Sequence, residues 1–201
     1  MTSRAAAPLL IHHDWQVGYR HEDGDLIELF YNPALTCAVR YDRMTGYFSA
    51  GVLAAAARGI ASLINNGGRM RLLVGCQPDP DESQAIIDGY DLRARMEQKL
   101  LDTDLTPDDP ETRTALELLA WMVANEVLDV KVAVPIRPDG RPEKSAGIYH
   151  EKVGIIRDTE GNRICFCGSI NETKAGWVVN RESFDVFCSW QEERERRRLQ
   201  I

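Results

Sequence analysis

The sequence predicts an α/β fold, and three observations carry that expectation. A strand-like stretch from Cys37 to Ser49, an amphipathic stretch from Ala50 to Asn65 and a short apolar run from Met70 to Gly75 follow one another with tight connections. Strands joined through a helix in this way pair parallel, with a right-handed crossover. A further apolar run, Val130 to Pro135, adds a strand, and Ile148 to Arg157 and Arg163 to Cys167 flank the turn Asp158 to Asn162 as a hairpin.

Taken in order, residues 1–25 mix Ala, His, Asp and Gly without periodicity and read as an N-terminal arm. Leu26, Ile27, Leu29 and Phe30 suggest a short helix that stops near Asn32-Pro33 or restarts after it. Ser49 is placed to cap the next helix, whose apolar side is Val52, Leu53, Ala56, Ile60, Leu63 and Ile64, with Asn66-Gly67-Gly68 as its C-terminal stop. After the polar break CQPDPDES, a helix from Asp81 or Ser83 carries Ile86, Ile87, Leu92, Met96 and Leu100. Another, from Thr112 to Glu126, carries Leu116, Leu119, Met122 and Val123. Both read as scaffold or as a partner face. Ile136 to Gly147 is a Pro/Gly/charged loop able to cover a site, Ser183 to Trp190 is a last strand, and residues 191–201 are a charged helical tail or the start of a linker. Residues 26–190 are thus expected to be one domain.

Composition bounds the function. With 201 residues, 44% hydrophobic and 27% charged, the chain has material for one sizeable core. A formal charge of −7 argues against binding nucleic acid through a broad basic face, although Arg137, Arg141, Lys144, Lys152 and Arg157 cluster in sequence around His150. The five cysteines, Cys37, Cys76, Cys165, Cys167 and Cys188, show no metal-ligand spacing and read as buried thiols, so no metal or other cofactor is expected. No run approaches the roughly 18–20 apolar residues of a membrane span, and the short AAAPLLI stretch is no secretory core. A reduced, cytoplasmic setting is the expectation.

The chemistry concentrates between Tyr149 and Trp190. His150 and Lys152 are two apart, which in a strand puts them on one face. Gly168-Ser169-Ile170-Asn171 then offers a hydroxyl and an amide, again two apart. An imidazole can attack phosphorus while an ammonium and neutral donors offset charge on the non-bridging oxygens. Each residue alone has a plainer reading: His150 as a structural histidine, Lys152 as a solvated charge, Ser169 and Asn171 as turn and cap residues, Glu182 as an ion-pair partner. Tyr47, Phe48 and Trp177 read as core or pocket wall rather than stacking platforms.

His150-Glu151-Lys152, Asp158 and Gly168-Ser169-Ile170-Asn171 together resemble the H-x-K…D…G-S-x-N signature of the phospholipase D superfamily. The likeness is closest to the phospholipase D-like nuclease domain at the N-terminus of some bacterial DEAD/DEAH or Swi/Snf-type helicases. YHEKVGI, GSxNET, Gly176-Trp177, Asn180, Glu182-Ser183 and the ending VFCSW carry it. The resemblance implies a mixed β-sheet flanked by helices on both faces. His150 would form a phosphohistidine that water hydrolyses without a metal, Lys152, Ser169 and Asn171 would hold the phosphate, and Glu182 would orient the histidine. Asp158 departs from the family pattern by one position, Arg157 standing where the aspartate is usual, and it also reads as a turn former.

The superfamily uses two such motifs, and this chain has one, since His12, His13 and His21 are not followed by a lysine at the second position. A two-fold axis would supply the second copy, so a homodimer with His150 of each protomer facing a shared phosphate is expected. The resemblance further implies a nucleic-acid substrate, DNA before RNA, and a helicase in the same chain or a separate subunit, within a defence or restriction system. The alternatives are a catalytically weak dimerisation or DNA-docking module and, further off, a phospholipase.

Overall fold

Seven strands form one mixed sheet: β1 (Gly18–Arg20), β2 (Arg40–Thr45), β3 (Arg69–Gly75), β4 (Leu128–Ala133), β5 (Val153–Arg157), β6 (Arg163–Gly168) and β7 (Ser183–Cys188). Their order is β1-β7-β6-β5-β2-β3-β4. In the computed structural model residues 6–75, 115, 118–119, 121–141, 143 and 149–191 are described. The helix read over Asp81 to Leu100, together with Cys76, Lys144 and the tail beyond Gln191, lies outside these residues.

The predicted parallel unit is present. β2 pairs parallel with β3, Arg40 opposite Arg69, and β3 pairs parallel with β4, Met70 opposite Leu128. The hairpin is present too, with β5 antiparallel to β6 and Val153 opposite Cys167. β5 also runs antiparallel to β2, and this joins the parallel half of the sheet to the antiparallel half. The single-domain α/β fold follows from these pairings.

The helix expected from Ala50 to Asn65 is interrupted at Ala56, giving α-helices over Gly51–Ala55 and Ala57–Asn65. Ser49 does not cap it; its hydroxyl instead accepts the Lys174 N–H at 3.2 Å. Upstream, the pattern from Leu26 becomes a π-helical turn, Ile27–Tyr31, running directly into a helix over Asn32–Cys37 with Pro33 in its first turn. Proline has no N–H to donate, and it sits directly after the widened π-helical turn, where the regular i→i−4 ladder is already interrupted.

Residues 1–25 were expected to be a loose arm, and residues 10–20 are instead built into the fold. Leu10, Trp15 and Tyr19 are buried, and β1 pairs with β7 along the sheet edge. Aromatic packing fixes this segment: Trp15 meets Phe30 edge-on at 5.6 Å, and Tyr19 stacks on Phe184 at 5.4 Å. No short-range periodicity marks residues whose partners lie on distant strands.

One sheet face carries Tyr41, Met70, Leu72, Leu128, Ile156, Ile164, Phe166, Phe184 and Val186, packed into a single cluster with Val52, Leu53, Ile60, Leu63, Leu119 and Met122 of the helical segments. Burying each of these larger side chains contributes about 1.5–3 kcal/mol, the main term holding the site's strands in place. Two of the cysteines expected to be buried are not: Cys37 and Cys188 are, whereas Cys165 and Cys167 are half-buried on the opposite face.

Candidate active site

Strand directions bring the motif residues to one edge of the sheet. β2, β3 and β4 end there at Thr45, Gly75 and Ala133. Because β5 and β7 are antiparallel to their neighbours, they begin there, and β6 ends there. His150 and Lys152 precede β5, Ser169 and Asn171 follow β6, and Glu182 precedes β7. Ligand sites in open sheets form beyond the carboxyl ends of parallel strands, where loops diverge.

His150 and Lys152 were expected on one strand face, but the chain is irregular from Tyr149 to Lys152 and β5 starts only at Val153. His150 is exposed, while Lys152 is 6% exposed and folds back to donate from Nζ to the His150 carbonyl oxygen at 2.7 Å. The lysine thereby holds the backbone of the histidine. Burial lowers the Lys152 pKa below the usual lysine range; the Glu182 carboxylate acts against that shift and the Arg43 guanidinium adds to it.

His150 and Asn171 come together over Gly46. A β-carbon at Gly46 would lie 3.0 Å from His150 Cδ2 and 3.4 Å from Asn171 Oδ1. The Asn171 amide is oriented through its oxygen, which accepts the Tyr47 N–H at 3.2 Å and the Thr45 hydroxyl at 3.3 Å. Its Nδ2 hydrogens donate to no described residue and remain for another acceptor. Tyr47 stands beside the imidazole with ring centroids 6.2 Å apart and planes at 81°.

Ser169 and Glu182 form a second pair at the same edge. The Ser169 hydroxyl donates to Glu182 Oε2 and accepts the Ser183 N–H at 3.1 Å, while Asn180 Nδ2 donates to Glu182 Oε1 at 3.2 Å. Among the described contacts, no hydrogen bond joins Glu182 to His150. Asp158 is not at this edge. It is buried at the far end of β5, where its carboxylate accepts the N–H groups of Leu10, Glu160 and Asn162 and the Asn162 side-chain amide, at 2.9–3.0 Å. It shapes the hairpin turn and tethers the N-terminal segment.

Sequence reasoning missed the support beneath Asn171. Glu172 is fully buried and accepts from Arg43 Nε at 2.9 Å, from Tyr41 at 3.1 Å and from the Tyr31 hydroxyl, while Arg43 Nη2 donates to the Ile170 carbonyl. The Glu172 N–H donates to Thr45 Oγ1 at 2.9 Å. Residues 170–172 are therefore clamped to β2, and Asn171 with them. The available signal was Arg43 itself, a charge sharing the inward face of a strand with Tyr41 and Thr45. Among the described residues, no three His, Cys, Asp or Glu side chains stand close enough to hold a metal ion. No helix among them is long and apolar enough to cross a membrane.

No protein-family model matches the chain, and no curated protein matches it. Solved structures do overlap with it. NucT from Helicobacter pylori superposes with a TM-score of 0.45 at 14% identity over 90% of each chain. Nuc from Salmonella typhimurium, a phospholipase D family member, gives 0.40 at 16% identity over 85% of each. Phosphatidylserine synthase from Haemophilus influenzae gives 0.44 at 14% identity, covering 87% of this chain and 34% of the other. Overlaps this loose carry no argument about chemistry.

Proposed function

We propose that the chain is a metal-independent phosphodiesterase acting on nucleic acid, with His150 as nucleophile. The observation that carries this is the convergence of His150 and Asn171 on Gly46, with the amide oxygen tied down and its N–H groups left for a ligand oxygen. In this reading His150 Nε2 attacks phosphorus, the P–O bond to the leaving group breaks, and water later cleaves the P–N bond of the phosphohistidine to regenerate the imidazole. Lys152, Ser169 and Asn171 offset charge on the phosphate oxygens, as preorganised donors do in such steps. Glu182, which accepts the Ser169 hydroxyl in this structure, is the acidic group proposed to orient the imidazole.

A single histidine lacks a general acid for the leaving oxygen. The same reading therefore includes a homodimer in which the second protomer's His150 donates that proton, and a helicase partner in a defence or restriction setting that selects DNA. One neutral and one protonated imidazole give a bell-shaped pH dependence. A weakly active docking module is the second reading, favoured by the engagement of Glu182 with Ser169 rather than His150.

Plasmid and single-stranded DNA incubated in EDTA with the wild type and with His150→Ala distinguish the two. EDTA-resistant cleavage lost in the variant is expected. Absence of cleavage by the wild type, or equal cleavage by the variant, would leave the docking module. Light scattering on the same sample is expected to give a dimer mass, and a strict monomer removes the shared acid.

A further inference from the structure

Tyr47 is 54% exposed although it follows directly on a core strand and a buried glycine. A tyrosine open to solvent to this degree forgoes burial that Tyr31 and Tyr41 achieve completely. Its position is nevertheless fixed. The backbone N–H is held by Asn171 Oδ1, and the ring stands at 81° to that of His150. The open ring is thus registered to the two groups that the proposed reaction places on the phosphate.

Resting on that phosphodiesterase reading, we infer that Tyr47 is a base-stacking platform that makes the site select unpaired nucleic acid over duplex. A nucleotide whose phosphate sits between His150 and Asn171 carries its base only a few bonds away, within reach of the phenol ring. Any base can stack there, so the contact is indifferent to sequence. A base within a duplex is already stacked on both sides and must leave the helix first, at an energetic cost. The charge balance points the same way. With a net charge of −7 the chain has little to gain from tracking duplex phosphates by counterion release, so stacking becomes the larger source of affinity.

The test compares a single-stranded oligonucleotide with one of equal length built from abasic tetrahydrofuran residues, cut by the wild type, Tyr47→Ala and Tyr47→Phe. The wild type is expected to cleave the base-bearing strand on the order of 10-fold faster at subsaturating concentration, the range a single stacked base provides. Tyr47→Ala should erase that preference while still cleaving the abasic strand, and Tyr47→Phe should retain it. Equal cleavage of both strands by the wild type, or an equal loss on both in Tyr47→Ala, overturns the assignment. If the wild type cuts neither strand, the phosphodiesterase reading fails, and fluorescence anisotropy decides Tyr47 separately. Preferential binding of the base-bearing strand that Tyr47→Ala abolishes upholds the platform, and equal binding of the two strands rejects it.

Discussion

Gly46 is the residue on which the geometry of the site turns, and it shows how a position without a functional group can govern one. A methyl group there would meet His150 Cδ2 at 3.0 Å and Asn171 Oδ1 at 3.4 Å, so the imidazole must move by a few tenths of an ångström. Misplacing a nucleophile by about 1 Å can cost about 100-fold in rate. Gly46→Ala is therefore expected to lower kcat by about 3- to 10-fold, with less than about 1 kcal/mol lost in urea unfolding because the exposed ring can yield. An unchanged kcat would mean that His150 is not held against this wall during the reaction. As candidates, His150 with Lys152 and Ser169 with Asn171 were legible from spacing, since residues two apart can be read locally, and Glu182 only through the family resemblance. Gly46 and Tyr47 were not, because what matters about them is a contact with residues over 100 positions away.

At the scale of elements, two buried carboxylates have opposite meanings. Glu172 and Arg43 join β2 to the turn that bears Asn171, with both side chains fully enclosed. Removing one partner of such a pair leaves the other charged and unsolvated, so Arg43→Met should cost about 3–5 kcal/mol, with Glu172→Leu in the same chain recovering part of it. Additive losses in that cycle would show that the pair does not act as a clamp. Asp158, by contrast, is predicted to be purely architectural. Asp158→Ala removes the acceptor of four hydrogen bonds and should cost about 2–4 kcal/mol while leaving kcat per folded molecule unchanged. A fall in kcat with the fold intact would return Asp158 to the reaction. The β2–helix–β3 unit and the β5–β6 hairpin were legible because period and turn chemistry are local signals. The break at Ala56 and the docking of β1 were not, since only tertiary packing decides them. The face of β5 assigned to His150 and Lys152 failed because the ladder with β2 begins at Val153, after both.

Across the whole molecule, the enclosed aromatic core sets a pH dependence separable from that of any catalytic group. Burial pushes the Cys37 thiol up from 9.0 to about 11, with the Asp158 carboxylate adding to it. Burial likewise raises Tyr19, and it raises Tyr31 and Tyr41 well above the usual phenol range, where the Glu172 charge reinforces it. Each of these groups keeps its proton in the folded state to a higher pH than in the unfolded chain. Between the two pKa values the unfolded state binds fewer protons, so stability falls as pH rises through that window. Lys152 acts in the opposite sense, because its depressed folded pKa lets the native state shed a proton first, but it is one group against these four and Tyr149, whose phenol is also raised by burial. Urea unfolding followed by tryptophan fluorescence is therefore expected to be flat from about pH 7 to 8. It should then weaken above about pH 9 by up to about 1.4 kcal/mol per pH unit for each proton of difference. Cys37 enters first, since its unfolded value of 9.0 lies below that of tyrosine. Cys37→Ser should accordingly flatten the limb between about pH 9 and 10 and leave the steeper fall above it in place. A limb of the same slope in that variant would locate the first alkaline loss elsewhere than in the thiol beneath the β5–β6 turn.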